Sequence, residues 1–241
     1  MNVKARKMEL IAPFFEVKKM NTRGRQKIEG AIAAFKFDFR GKTVLDIGSS
    51  TGGFTESALS HGASKVIAVE KGKNQMVAPL RFDARVELHE QKDIFQTTSV
   101  TGDSESLLAS LRSPSSTGRS RRYGARCAKT LPLSLDALVI SVPDVVVADV
   151  SFVSLRDVLL YVKEFIAGPK TEYLVMMKPQ FEARPEQLNK GIVKNEKMRR
   201  EIIKDFEFFL KKNGFLVVNK HDNETHGKHG NIERFYYLKT V

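Results

Sequence analysis

Short runs of aliphatic and β-branched residues recur along the chain, and between them the apolar positions fall three or four apart. Thr43–Ile47 is apolar or β-branched apart from Asp46, and residues 64–69 (SKVIAV), 85–88, 145–150 (VVVADV), 173–177, 215–218 and 235–238 repeat the pattern. Runs of this length between turn-forming residues read as strands. Ile28, Ile32 and Phe35 keep helical spacing, as do Met198, Ile202, Phe206 and Phe209 ahead of Gly214; residues 54–61, 74–81 and 154–166 read as further helices. Strands alternating with helices predict an α/β fold with a mostly parallel seven-stranded sheet flanked by helices. The rhythm is absent in two places. Residues 1–20 show no clean period and read as a basic lead-in, and residues 97–132, which include SPSSTGRSRR, hold too little apolar material for a core. The second stretch is expected to be a flexible basic insertion within one domain spanning residues 21–241.

Charge sharpens this picture. The 241 residues carry a net charge of +12, and residues 1–42 hold eleven Lys or Arg against four Asp or Glu, while residues 112–129 hold six basic residues and no acid. A near-neutral body with two basic stretches suits a polyanion binder, with RNA as first candidate. Cys127 is the single cysteine, so there is no intrachain disulfide framework and no cysteine-built metal site, as expected of a cytoplasmic protein. No signal peptide is read at the N-terminus. The most apolar region, residues 135–155, is interrupted by Asp136, Pro143, Asp144 and Asp149, which disfavours a membrane span.

The candidate chemistry begins where the first strand ends. Gly48, Gly52 and Gly53 follow Asp46 with spacing G-x-x-x-G-G, which is neither the dinucleotide fingerprint nor a nucleotide P-loop. An acid at a strand end before a loose glycine-rich turn suits S-adenosylmethionine (SAM). Glu70, 24 residues after Asp46, ends the second strand, where an acid receives the ribose hydroxyls of an adenosine cofactor; Asp93, after the third, could meet the adenine amino group. Asp149 and Lys178 end the next two strands, Glu233 opens the last, and Lys27 lies on the helix before the first. A Lys-Asp-Lys-Glu set beside SAM has a specific use in taking the proton from a ribose 2′-hydroxyl. Lys178 would be the base, Lys27 the neighbouring cation, and Asp149 and Glu233 the carboxylates that fix both amines.

The segments DIGSSTGGFTES, ADVSFVSL, MMKPQFE, KGIVK and GNIERF, with RGRQKIEGAI before the first strand, resemble the TlyA or hemolysin A family of ribosomal RNA 2′-O-methyltransferases. The resemblance covers residues 21–238 apart from the insertion. It implies the FtsJ-type, Rossmann-like SAM-dependent methyltransferase fold and a catalytic tetrad at Lys27, Asp149, Lys178 and Glu233. It also implies a cofactor loop of Asp46, Gly48, Ser49, Ser50, Thr51, Gly52, Gly53 and Phe54, with Glu70 and Asp93 as adenosine contacts. The implied substrates are cytidine 2′-hydroxyls in small-subunit and, for some members, large-subunit ribosomal RNA. Family members begin with an S4-like RNA-binding domain, and residues 1–20 are read as lacking a full one. Three other readings compete: an RNA-binding or ribosome-assembly protein without catalysis, a hemolysin-like membrane-active protein, and a metal site at His221, His226 and His229 near Asp222 and Glu224. The tetrad disfavours the first, the broken apolar region the second, and a glycine-rich loop leading to Glu233 the third.

Overall fold

The computed structural model describes residues 22–100, 137–223 and 230–241. Helix α1 (Arg23–Phe35) leads to strand β1 (Thr43–Ile47), helix α2 (Gly53–Ser60), β2 (Lys65–Glu70), the single turn α3 (Ala78–Arg81) and β3 (Val86–Glu90). After β4 (Thr97–Val100), the described chain resumes with β5 (Leu138–Ser141), β6 (Val145–Ala148), α4 (Leu155–Phe165), β7 (Glu172–Met177) and the short α5 (Pro179–Glu182). A small hairpin of β8 (Leu188–Asn189) and β9 (Ile192–Val193), the long α6 (Glu196–Lys212), β10 (Phe215–Asp222) and β11 (Arg234–Thr240) complete it.

Seven strands form one sheet in the order β10-β11-β7-β6-β1-β2-β3. The pairs from β7 through β3 are parallel, whereas β11 is antiparallel to both β7 and β10. This arrangement brings the start of β11 to the edge where the parallel strands end, with Arg234 opposite Met177. Both faces are covered, which is why β1, β2, β6 and β7 read as continuous apolar runs rather than alternating ones. On one face Leu45, Ile67, Val146 and Val175 pack under α4 and α6; on the other Val44, Val66, Val147 and Leu174 meet Ile28, Ile32 and Phe54 of α1 and α2. The sheet reverses direction of growth at β1, between β6 and β2, and the loops beyond those strand ends are where an open α/β sheet holds its ligand.

Some boundaries differ from those expected. Residues 97–100, placed in the insertion by composition, form β4 and pair in parallel with β5; Thr98 and Ser99 hydroxyls also donate to the Phe165 and Ile166 carbonyls. These polar side chains are used in tertiary bonds that an apolar-pattern reading passes over. The remainder of that stretch, residues 101–132, and the lead-in at residues 1–20 lie outside the described residues. The helix expected over residues 74–81 shrinks to α3 because the Glu90 carboxylate accepts the backbone N–H groups of Asn74, Gln75 and Met76. Pro79 also confines the helix to a start just before it.

Candidate active site

Two adjoining cavities open beyond the carboxyl ends of β1, β2, β6 and β7. One, of about 630 Å³, is lined by residues that include Lys27, Ser49, Thr51, Phe54, Lys178 and Glu233. The other, of about 640 Å³, lies over Glu70 and Asp93. Gly48, Ser50, Asp149, Ser151 and Phe152 belong to both walls.

The loop after β1 is shaped by close approach. Gly48 has φ of 76°, and a Cβ there would stand 3.0 Å from the Asp149 carbonyl oxygen, so only glycine lets the β1 and β6 loops touch. Gly53, inside α2, has Arg25 N 2.6 Å and Thr22 Oγ1 2.7 Å from the place of a Cβ. The first turn of α1 is thereby seated on the first turn of α2, and Thr22, Arg23 and Gly24 become cavity wall. Arg25 pairs with Glu56 and Glu29 across the same junction. Gly52 does not reach either cavity; a Cβ there would strike Leu80 of α3.

The three acids at or just beyond strand ends serve different purposes. Glu70 lines the second cavity while its two oxygens accept from Ser50 N (2.9 Å) and Gly72 N (2.6 Å), so it ties the glycine-rich loop to the end of β2. Asp93 lines the same cavity, accepts from Phe95 N at 3.1 Å and pairs with Lys71 at 3.0 Å. Asp46, expected among the cofactor contacts, lines neither cavity. It is buried beneath the loop and accepts the Thr55 hydroxyl at 2.6 Å. Burial pushes its carboxyl up to about 7; the Thr55 bond opposes this, and the negative charges of Asp149 and Glu70 add to it.

The four candidate catalytic residues all line the first cavity, as two ion pairs. Lys178 Nζ is 2.5 Å from Asp149 Oδ1, and Lys27 Nζ is 2.7 Å from Glu233 Oε2. Both lysine side chains are nearly buried, at 9% and 11% exposure. Buried pairs add little net stability because desolvation cancels much of the attraction; what they supply is orientation. Lys178 also donates to Ser151 Oγ at 2.8 Å, and Asn223 Nδ2 approaches Glu233 at 3.4 Å.

Several neighbours of the tetrad escaped sequence reasoning. Phe152 is 93% exposed at the boundary of the two cavities and holds φ of 64°, a left-handed conformation unfavourable for an aromatic residue. Its ring lies 5.5 Å from that of Phe181. Asn231 binds the β8–β9 hairpin at its turn and at β9, donating to the Gly191 carbonyl and accepting from Val193 N. Ser151 and Phe181 lie within ADVSFVSL and KPQFE, so their motifs were visible, but their contacts join two loops distant in sequence. Of the histidine group weighed for metal, His221 packs edge-on against Phe35 and Asp222 is held by Arg199 and Arg234; Glu224, His226 and His229 lie outside the described residues. Among the described residues no helix is long and apolar enough to cross a membrane.

The wall suits a SAM-sized group in two respects. The glycine cradle at Gly48 leaves backbone, not side chain, facing the cavity boundary. The buried Ser49 hydroxyl has no hydrogen-bond partner among the described residues, and a buried hydroxyl calls for one.

Comparison with known proteins bears on the family of the chain. The FtsJ-like methyltransferase family model matches residues 20–240. The chain is 28% identical over 218 residues to the 23S rRNA (cytidine-2′-O)-methyltransferase TlyA of Campylobacter jejuni, covering 90% of this chain and 69% of that protein. It is 30% identical over 220 residues to the 16S/23S rRNA (cytidine-2′-O)-methyltransferase TlyA of Mycobacterium tuberculosis, covering 91% and 68%. It spans 64% of the length of YqxC of Bacillus subtilis, provisionally named an rRNA methyltransferase, at 30% identity and 90% coverage of this chain. A solved structure from Lactococcus lactis, provisionally named a hemolysin, superposes with a TM-score of 0.69 at 31% identity, covering 92% of this chain and 88% of that one.

Proposed function

Given that the chain belongs to the FtsJ-like methyltransferase family, we propose that it moves a methyl group from SAM to a ribose 2′-hydroxyl of ribosomal RNA, on a cytidine. The observation that carries this reading is the pair of lysine–carboxylate contacts facing one cavity, directly across the Gly48–Asp149 boundary from a second cavity floored by Glu70. SAM would be held by the residue 48–54 loop and by Glu70 and Asp93, and when bound it supplies an electrophilic methyl on a sulfonium. The 2′-hydroxyl would enter beside Lys178, whose amine is aimed by Asp149 and Ser151. With SAM bound, the 2′-oxygen would take the methyl as the methyl–sulfur bond breaks, and Lys178, acting as the neutral amine with its proton already given up, would accept the hydroxyl proton at Nζ. Lys27, fixed by Glu233, places a positive charge beside the oxygen as it gains electron density. Alignment of oxygen and methyl supplies much of the acceleration.

RNA is favoured over DNA because the reaction needs a 2′-hydroxyl. Phe152, exposed at the mouth in a strained backbone conformation, offers a face on which the base of the target nucleotide could stack. The work would be done in the cytoplasm, on RNA or an assembled subunit.

The test is transfer of labelled methyl from SAM to unmodified ribosomal subunits by the wild type and by Lys178→Ala. The wild type is expected to block alkaline cleavage at a cytidine, and the variant to lose at least ~100-fold in rate, the usual worth of a positioned base. A wild type that binds no SAM would sink the cofactor assignment; a variant with undiminished rate would remove Lys178 as the base.

A further inference from the structure

The Lys178–Asp149 contact joins two segments that share no backbone ladder at that point: the loop after β6, which carries Asp149, Ser151 and Phe152, and the turn after β7, which carries Lys178 and Phe181. The same two segments are tied a second time, deeper in the protein. Glu182, the last residue of α5, has a side chain only 1% exposed. Its Oε1 accepts from Leu155 N at 2.6 Å, and its Oε2 accepts from Ser154 Oγ at 2.7 Å and meets Arg156 Nε at 3.1 Å. Arg156 in turn lies over the rings of Phe206 and Phe209 of α6, at 5.8 and 5.5 Å. One carboxylate therefore fastens the lysine-bearing turn to the residues directly following the Asp149 loop, and through Arg156 to the long helix α6.

We propose that Glu182 is a positioning residue for methyl transfer, fixing the separation at which Lys178 meets Asp149 and Ser151. The inference rests on the assignment of Lys178 as base. That lysine must exchange part of its bonding to Asp149 for bonding to the incoming hydroxyl, so the Lys178–Asp149 pair cannot by itself keep the two segments in register during the reaction. A tie is needed whose bonds stay intact throughout, and Glu182 lies out of reach of the substrate cavity walls. Burying a carboxylate is an expensive way to hold two segments together if packing alone is required, and burial does raise its carboxyl against the pull of Ser154, Leu155 and Arg156. Two hydrogen-bond donors, Leu155 N and Ser154 Oγ, together with the Arg156 guanidinium fix one group more sharply than an apolar contact does. An error of about 1 Å at a reacting centre can cost on the order of 100-fold in rate.

The experiment compares the wild type with Glu182→Gln and Glu182→Asp. Glu182→Gln keeps the shape, removes the charge and turns an N–H₂ toward donors. It is expected to bind SAM within about 3-fold of wild type by calorimetry, to keep KM for RNA within about 3-fold, and to lose at least ~10-fold in kcat, the split expected of misplacement rather than lost binding. Its crystal structure is expected to show Lys178 Nζ outside hydrogen-bond distance of Asp149. Glu182→Asp, which keeps the charge on a shorter stem, should recover part of kcat, and it carries the comparison should the glutamine variant not fold. Wild-type kcat in a folded Glu182→Gln, or an unchanged Lys178–Asp149 contact in its structure, would overturn the proposal. A wild type inactive on every RNA offered would instead count against the methyltransferase reading, and the variant structure would still decide whether Glu182 sets the lysine.

Discussion

A carboxyl held near neutrality sits below the glycine-rich loop, and its behaviour follows from where one side chain points. Burial, with the negative charges of Asp149 and Glu70 and against the pull of the Thr55 bond, places the pKa of folded Asp46 at about 7, above the ordinary 3.8 of an aspartate. A raised carboxyl pKa means that the folded state holds a proton the unfolded state has released. The resulting stabilisation is complete below about pH 4 and is lost as pH rises to about 7, to an extent of ~4 kcal/mol. Asp46→Asn, which cannot ionise, should flatten this part of the pH–stability curve in urea melts; identical curves for the two proteins would show that Asp46 titrates normally. The sequence marks Asp46 as the acid at a strand end and the resemblance places it in the cofactor loop, whereas its side chain is buried beneath that loop against Thr55. In a strand with both faces covered, an all-apolar run does not reveal which face the last side chain takes. Glu70 and Asp93 were legible as cavity acids because Glu70 ends β2 and Asp93 follows β3 by three residues, where the sheet meets the ligand edge. Phe152 was not, since neither its exposure nor its left-handed backbone has a compositional signature.

At the scale of elements, the seat of α1 on α2 depends on one missing methyl group. Alanine in place of Gly53 would gain about 1 kcal/mol of helix propensity, but the added Cβ would stand 2.6 Å from a backbone nitrogen of α1, which cannot swing aside as a flexible side chain can. Overpacking of this kind costs about 1–3 kcal/mol, so the steric cost should win. Gly53→Ala is expected to melt lower and to bind SAM more weakly, because Thr22, Arg23 and Gly24 would be pushed out of the cavity wall; a variant at least as stable as wild type with unchanged affinity would show that the helices slide apart freely. Helices and main strands were readable from periodicity because their cores are continuous: Ile202, Phe206 and Leu210 bury one face of α6, and Ile28 and Ile32 one face of α1. What periodicity could not show was structure built on polar bonds. Strand β4 and the loop over residues 71–77 are of that kind; in the latter, Arg81 and three backbone N–H groups overcome the upward pull of burial and hold Glu90 at about 2.

Over the whole molecule, charge and topology act together. The surplus of basic residues lies mainly in residues 1–42 and 112–129, and within the first of these Arg23 and Lys27 stand in the wall of the candidate active site. If these stretches contact phosphates, RNA affinity in filter-binding assays should fall at least ~10-fold between about 50 and 200 mM salt, through release of counterions. An affinity indifferent to salt would mean that binding is governed by base contacts alone. The class of fold was legible at this scale because strand and helix alternate; the reversal at the last strand was not, since direction of pairing leaves no mark on an apolar run.

That reversal has a consequence for how the protein comes into being. Strand β11 follows β10 in the chain but lies between β10 and β7. Until it inserts, β7 presents a naked edge, a hazard for pairing with other chains, and β10 has no place to dock. Glu233, at the entrance to β11, is therefore held beside Lys27 only when β11 lies in its place against β7. On the proposed mechanism, a nascent or partly folded chain in which β11 has not taken its place would carry the glycine-rich loop with only one of its two lysine–carboxylate pairs assembled.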